Sequence, residues 1–560
     1  MNFKSILFQT IPMRFLLTLL FVYANGIVTA QQKPSSVPAE LIVTNAKIYS
    51  GPFSETYNTI IINEGKVEAL YKNSEWKKKY HSDNIQDMKQ KVILPGFIDA
   101  HCHFLGLGKA MDEVNLFGTK SWQEVLERVI AFEIMHPTKQ WIQGRGWDQN
   151  DWQDKKFPDN HLLDSLFKNK FIVLSRVDGH AVIVNSKVME LAQISKSTTV
   201  EGGTVVSENG QLTGVLVDNA TTLAELKVPK PSRSQKIQWL LAAQKACLEY
   251  GIVQVADAGL PVEDVLLIDS LCTSGDLKMR FYLMLSSGKE AELFFTSNGP
   301  INHEKVKCRS IKIYSDGALG SRGALLKQPY CDSKSSYGLQ LIEPWLLDSV
   351  LSFAYKNNIQ ANTHCIGDSA NALVLKAYSK HLKTTENNRR WRIEHAQVVD
   401  PADLHYFSEY SIIPSVQPTH ATSDMYWAES RLCKHRMPGA YSYKTLLAHS
   451  GILPLGTDFP VEYVSPFFTI RAARFRQDAA GFPKNAFKKE EALNSQETFA
   501  GMSLWAAMSN FWEDETGTLE IGKWADFIVL DQNPYTCDLK TLNTIKANAV
   551  FIKGENLKKP

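Results

Sequence analysis

The sequence predicts an α/β fold: a (β/α)8 TIM barrel with a small β-sandwich domain formed by the N- and C-terminal segments. Two observations predict it. Between residues 96 and 510, short apolar strand patterns alternate with helical ones, which fits parallel strands joined by crossover helices. The two ends instead show short strands separated by tight turns, and neither is long enough to bury a core alone. A doubly wound sheet would bring a Gly-rich phosphate turn after the first strand, and the sequence has none.

Residues 1–30 read as a signal peptide. Lys4 and Arg14 flank the start of an apolar run over residues 15–22, and Val28-Thr29-Ala30 presents small residues before Gln31. The run is too short to span a bilayer, so cleavage near Ala30 and export to the periplasm or medium are expected. No later stretch has the length and apolarity of a membrane span. Residues 31–95 form the first part of the β-domain, with Leu41-Ile42-Val43, Lys47-Ile48-Tyr49, Thr59-Ile60-Ile61-Ile62 and Lys66-Val67-Glu68-Ala69-Leu70 as its strands. Residues 511–560 complete it, through Asp526-Phe527-Ile528-Val529-Leu530 and Ala549-Val550-Phe551-Ile552.

The eight barrel strands are expected to begin near Phe97, Ile252, Arg280, Ser310, Gln360, Trp391, Ile412 and Ile452. Helical segments near 344–356, 369–381, 403–410 and 443–449 supply crossovers. About 145 residues separate the first strand from the second, too many for a loop without structure of its own. An inserted subdomain at about 112–235, beside the barrel mouth, is therefore expected.

Composition narrows the function. Lys plus Arg is 61 and Asp plus Glu is 59, a net charge of +2, which argues against a nucleic-acid binder with a basic surface. The eight cysteines form no CxxC pair, and few disulfides or none are expected.

The chemistry sits at strand ends. His101-Cys102-His103 closes the first barrel strand, and side chains two apart on a strand share a face, so both imidazoles project together. His364, His395 and Asp458 end three later strands on the same side of the barrel, where barrel enzymes carry their catalytic groups. Imidazoles with a carboxylate make a divalent-metal site that suits Zn2+ best, with Fe2+ or Mn2+ as alternatives. Lys312 shares parity with Tyr314 and Asp316. As an ammonium it has no lone pair for a metal, but as a carbamate, after reaction with carbon dioxide, it would. An ordinary lysine paired with Asp316 or a substrate is the other reading.

This set resembles the amidohydrolase superfamily. The phrases Gly144-Arg145-Gly146-Trp147, Asp178-Gly179-His180, Asp316-Gly317-Ala318-Leu319-Gly320-Ser321-Arg322 and Gly456-Thr457-Asp458-Phe459-Pro460 resemble its amidohydrolase 3 branch, which includes N-substituted formamide deformylases. The resemblance implies that His101, His103 and Asp458 hold one metal. His364 and His395 would hold a second, bridged by carboxylated Lys312. One-metal and two-metal members both exist, so one or two ions are expected. Asp458 would be the catalytic proton shuttle, with Asp99 and Glu394 supporting the ligands. His180, Arg145, Trp147, Asp316, Tyr314 and Arg322 are the candidates for substrate contact, with Asp148 beside them. Trp147 is expected in the pocket and Trp141 in the insertion's core.

The implied function is metal-dependent hydrolysis of a non-peptide carbon–nitrogen (amide) bond in a small molecule. An esterase or an isomerase or hydratase on the same barrel is the alternative enzyme reading, and a degenerate periplasmic binding protein the alternative of another class. No nucleic-acid partner is expected, and a homodimer stays open.

Overall fold

The computed structural model describes residues 36–177, 179–383 and 387–558. The expected signal peptide lies outside them. Among the described residues no helix is long and apolar enough to cross a membrane.

Seven parallel strands run in chain order around the barrel: Phe97–Cys102, Ile252–Leu260, Arg280–Ser286, Val306–Tyr314, Gln360–Cys365, Arg392–His395 and Ile413–Ser415. The expected eighth strand is present as an irregular segment. Leu455 bridges Val416 in parallel, and the Ala100 amide donates to the Leu455 carbonyl at 3.1 Å, so the segment closes the ring between the seventh strand and the first. Pro454 explains the irregularity, since it brings a carbonyl but no N–H to the ladder. Helices such as Arg233–Glu249, Val262–Ser274, Pro344–Lys356 and Asp368–Leu382 lie between successive strands. Their ends carry local signals. Ser232 and Gln235 form a capping box, Gly275 ends its helix in the left-handed region, and Pro344 stands in a first turn.

The chain ends form two packed sheets. Lys66–Tyr71, Thr59–Asn63, Leu41–Thr44 and Ile85–Asp87 make one. In the other, Val92–Pro95 lies between Phe527–Leu530 and Lys47–Tyr49, so the two ends interleave. Val43, Ile60, Ile62, Ile93, Phe527 and Phe551 fill the space between the sheets. A buried ion pair between Arg280 and Asp526 ties this domain to the barrel's lower rim.

The insertion is a six-stranded sheet spanning residues 114–218, in the order Val114–Asn115, Trp141–Trp147, Phe171–Arg176, Ala181–Val184, Gln211–Asp218, Gly203–Glu208. It has apolar packing on both faces. Trp147 belongs to that packing and not to the pocket: it is fully buried and donates from Nε1 to the Leu174 carbonyl at 2.8 Å. The cause is a register shift between Arg145 and Trp147, where Gly146 takes φ +117°. The shift turns Trp147 to the opposite face from Trp141, which is half-buried and stacks on Phe171.

One disulfide joins Cys331 to Cys433, Cα to Cα 5.7 Å, linking the loop after the fourth strand to the segment after the seventh. Cys102, Cys247, Cys272, Cys308 and Cys365 are free and buried.

Candidate metal centre

The strand ends converge as their parity requires. His101, His395 and Asp458 are buried, and each offers a ligand atom within 4.8 Å of the other two. Around them, His103 Nε2 lies 3.1 Å and His101 Nε2 3.7 Å from Asp458 Oδ1. The rings of His364 and His395 are 4.5 Å apart, and Lys312 Nζ is 3.3 Å from His101 Nε2. All six sequence-identified side chains therefore lie in one cluster. The close trio takes members from both of the expected ligand sets.

Three of the imidazoles are oriented from behind. His101 Nδ1 meets Glu394 Oε2 at 2.5 Å, His103 Nδ1 the Ala258 carbonyl at 3.0 Å, and His395 Nδ1 the Gln417 Oε1 at 2.7 Å. At His101 and His395 an acceptor at Nδ1 fixes the proton there and leaves the Nε2 lone pair free, the arrangement found behind metal-ligating histidines. Glu394 is itself fully buried and clasped by Arg392, Nε to Oε1 2.7 Å and Nη2 to Oε2 3.0 Å. Asp99 links the first strand to the closing segment. It accepts from the Thr457 hydroxyl at 2.7 Å and from the backbone amides of Thr457 and His101.

Two ligand positions have unusual backbones. His395 has φ +74° and Asp458 φ +62°. Outside glycine this region costs about 1–2 kcal/mol, and such outliers gather at functional sites.

Electrostatics keep His101, His364, His395 and Asp458 in ligating forms. Burial lowers the His101 imidazole to about 4, helped by the Lys312 charge, and His364 to about 3 for the same reasons. Burial and the neighbouring histidines hold His395 well below its ordinary value. For Asp458, burial pushes the carboxyl up. The hydrogen bond from His103 and the charges of His101, His103 and His395 outweigh that and hold it well below the usual range. Burial lowers Lys312 to about 8. His103 is raised, because Asp458 outweighs burial.

A divalent ion fits these residues. His364 Nε2 is a buried polar atom without a hydrogen-bond partner, 3.6 Å from Asp316 Oδ1, which is costly unless something else satisfies it. The donors are imidazole nitrogens and a carboxylate, a set that suits a divalent metal.

The expected substrate-contact residues divide. Tyr314 comes to the mouth, 40 % exposed, its ring 5.9 Å from that of His364 and 5.2 Å from Lys312 Nζ. Asp316 is buried and accepts from the amides of Ile366, Gly367 and Leu325 at 2.8–3.0 Å, with Oδ1 also 3.6 Å from His364 Nε2. It thereby organises the loop after the fourth strand, and burial raises it to about 7. Arg322 forms a two-point pair with Asp332 on the same loop. Arg145 and His180 are exposed on the insertion, with Arg145 Nη2 3.4 Å from the Val177 carbonyl and His180 Nδ1 3.0 Å from Asp218. Asp148 pairs with Arg176.

Sequence reasoning missed His420. It lies on the helix Pro418–Asp424, just past the seventh strand, with Nε2 3.5 Å from Asp458 Oδ2. Gln417, the acceptor behind His395, was missed too. The polar run Gln417-Pro418-Thr419-His420 at a strand's C-terminal end was the available signal. A cavity of about 390 Å³ opens beside His103, lined by Leu105, Trp239, Asp257, Leu260 and Pro261. That is room for a small organic molecule.

The chain matches the amidohydrolase family over residues 84–557. It is 29 % identical to the Bacillus subtilis protein YtcJ over 508 residues, 89 % of this chain and 95 % of that one. It is 22 % identical to the N-substituted formamide deformylase of Arthrobacter pascens, over 92 % of this chain and 97 % of that one. A solved metal-dependent hydrolase from Pyrococcus furiosus superposes with a TM-score of 0.74 at 25 % identity, covering 89 % of this chain and all of that one.

Proposed function

The chain belongs to the amidohydrolase family, and from that premise we propose that it hydrolyses a carbon–nitrogen amide bond in a small, non-peptide N-acyl amine, with Asp458 as the proton shuttle. The observation that carries the reading is the buried cluster of His101, His395 and Asp458, neutral imidazoles beside an ionised carboxylate, with the partnerless Nε2 of His364 next to it. A degenerate binding protein would have no reason to keep so costly an arrangement.

His101, His395 and Asp458, with His103, His364 and Lys312 beside them, would hold the metal, and zinc suits them best. A divalent ion there lowers the pKa of water towards 7 and polarises a carbonyl. Asp458 is ionised and so is ready to accept a proton from the attacking water. The water oxygen adds to the carbonyl carbon. The carbon–nitrogen bond then breaks, its electron pair goes to nitrogen, and Asp458 returns the proton there. The products are a carboxylic acid and an amine. The same low proton affinity that keeps Asp458 ionised makes its protonated form a strong donor. Lys312, lowered to about 8, has a neutral fraction able to add carbon dioxide, which supports the carbamate reading.

The similarity to a formamide deformylase points to N-substituted formamides as the first compounds to try. The N-terminal leader pattern would place the activity outside the cytoplasm. The test is release of amine or alcohol by zinc-loaded protein from N-phenylformamide, N-benzylacetamide and phenyl acetate. Amine release with little ester cleavage is expected. Ester cleavage alone, or no turnover at full metal occupancy, would defeat the proposal.

A further inference from the structure

We propose that His420 is a catalytic hydrogen-bond donor to the substrate's carbonyl oxygen, outside the metal-holding set; this rests on the hydrolase reading above. Three observations carry it.

The first is direction. The Asp458 carboxylate has two sides. Oδ1 faces His103 and His101, and Oδ2 faces His420 Nε2 at 3.5 Å. His420 thus stands on the side of the proton shuttle that the ligand imidazoles leave open. Its ring lies parallel to that of His395, 18° apart in plane with centroids at 5.9 Å, so it borders the cavity without entering the close trio.

The second is the orphaned nitrogen. Nε2 is buried, and its approach to Oδ2 lacks hydrogen-bond geometry, so the atom has no partner. Leaving such a group unpaired is costly, and a ligand that completes it removes the cost. A carbonyl carbon attacked by water beside Asp458 brings its oxygen within reach of this donor. The bond strengthens as negative charge develops, and that difference is what lowers the barrier.

The third is support. The turn is held without the imidazole. Tyr443 Oη donates to the Gln417 carbonyl, Thr422 and Ser423 hydroxyls to the Thr419 carbonyl, and Tyr441 Oη to Asp424. The donor is held in place by a scaffold that does not depend on it.

The test compares wild type with His420→Ala and His420→Gln. It reads kcat and KM on N-phenylformamide, zinc content by mass spectrometry, and calorimetric affinity for N-phenyl methylphosphonamidate, a tetrahedral analogue. His420→Ala should lose about 10²–10³-fold in kcat. KM and zinc content should stay near wild type, and the phosphonamidate should bind weaker by a like factor. His420→Gln keeps an N–H at the same reach and should recover at least about tenfold of the loss. Unchanged kcat and analogue affinity in the alanine variant would overturn the inference, and so would loss of zinc, which would make His420 a ligand. A wild type that neither turns over the amides nor binds the analogue would instead bring down the hydrolase reading itself.

Discussion

Glu394→Gln is the perturbation that most directly probes how the centre is held. The side chain keeps its size and loses its charge. In the structure that charge faces two ways: towards Arg392 through both carboxylate oxygens and towards His101 Nδ1 at 2.5 Å, all three side chains fully buried. Removing one partner of a buried pair costs about 3–5 kcal/mol, because the other charge stays behind. The lower end applies here. Arg392 keeps the Ala100 carbonyl at 2.6 Å, Asn510 at 2.8 Å and Ser415 at 3.0 Å. The second effect reaches the metal. Without the carboxylate, His101 loses basicity and its fixed tautomer, and such losses cost about 10–100-fold in metal affinity. Zinc competition with a chromophoric chelator measures that factor. Thermal melts of the metal-free and zinc-loaded forms separate it from the loss of fold stability, since saturating zinc should stabilise the variant less than wild type. Zinc affinity within threefold of wild type, with unmoved melts, would refute the claim that Glu394 organises His101.

Four further outcomes are expected. Asp458→Asn should lose about 10²–10⁴-fold in kcat without straining the left-handed backbone at this position, which asparagine tolerates; near-normal turnover would exclude the shuttle. Lys312→Ala should lose activity that millimolar formate or acetate partly restores, and no rescue at full zinc occupancy would count against the carbamate. For Lys312→Met the sign follows from the lysine's lowered value: between about 8 and the unfolded value of 10.5 the unfolded chain binds more protons, so wild-type stability rises with pH there. In metal-free, carbonate-free buffer Lys312→Met should therefore be more stable than wild type at pH 7, with the gap closing towards pH 10.5; a constant gap would contradict the buried charge. Replacing Cys331 and Cys433 by serine together opens a loop 102 residues long, for which chain entropy allows up to about 4.7 kcal/mol; an unshifted melt would show that the cross-link constrains little.

The parts of the site that could be read from sequence are those carried by strands. Parity along a strand is a local property, so His101 and His103 could be assigned to one face, and Lys312 to the barrel interior, without knowing any neighbour. Asp458 was readable too, although its segment is no regular strand, because Thr457 bonds to Asp99 and the Asp458 amide donates to the His101 carbonyl, which hold it against the first strand at the height of His101. The apolar alternation that filled the insertion's sheet was equally local. A single glycine defeated it at Trp147: a shift at Gly146 reverses every face beyond it, and residue types do not announce where such a shift falls.

Side chains on turns and short helices obey no such parity. His420 sits five residues past its strand, on a helix whose rotation about its axis is set by what packs beneath it. Asp316 shows the converse. Strand parity would aim it at the substrate, but the chain leaves the ladder after Tyr314, and three backbone amides from two other segments capture the carboxylate. Arg322 is likewise drawn to Asp332, ten positions along its own loop. The division follows the energetics. Ligands borne on barrel strands are fixed by the hydrogen bonds that form the fold. Groups that meet the substrate are carried by loops, whose conformations depend on partners distant in sequence. Chemistry common to the family is for that reason the easier to read, and selectivity among substrates, which the loops after the fourth and seventh strands and the insertion would set, is the harder.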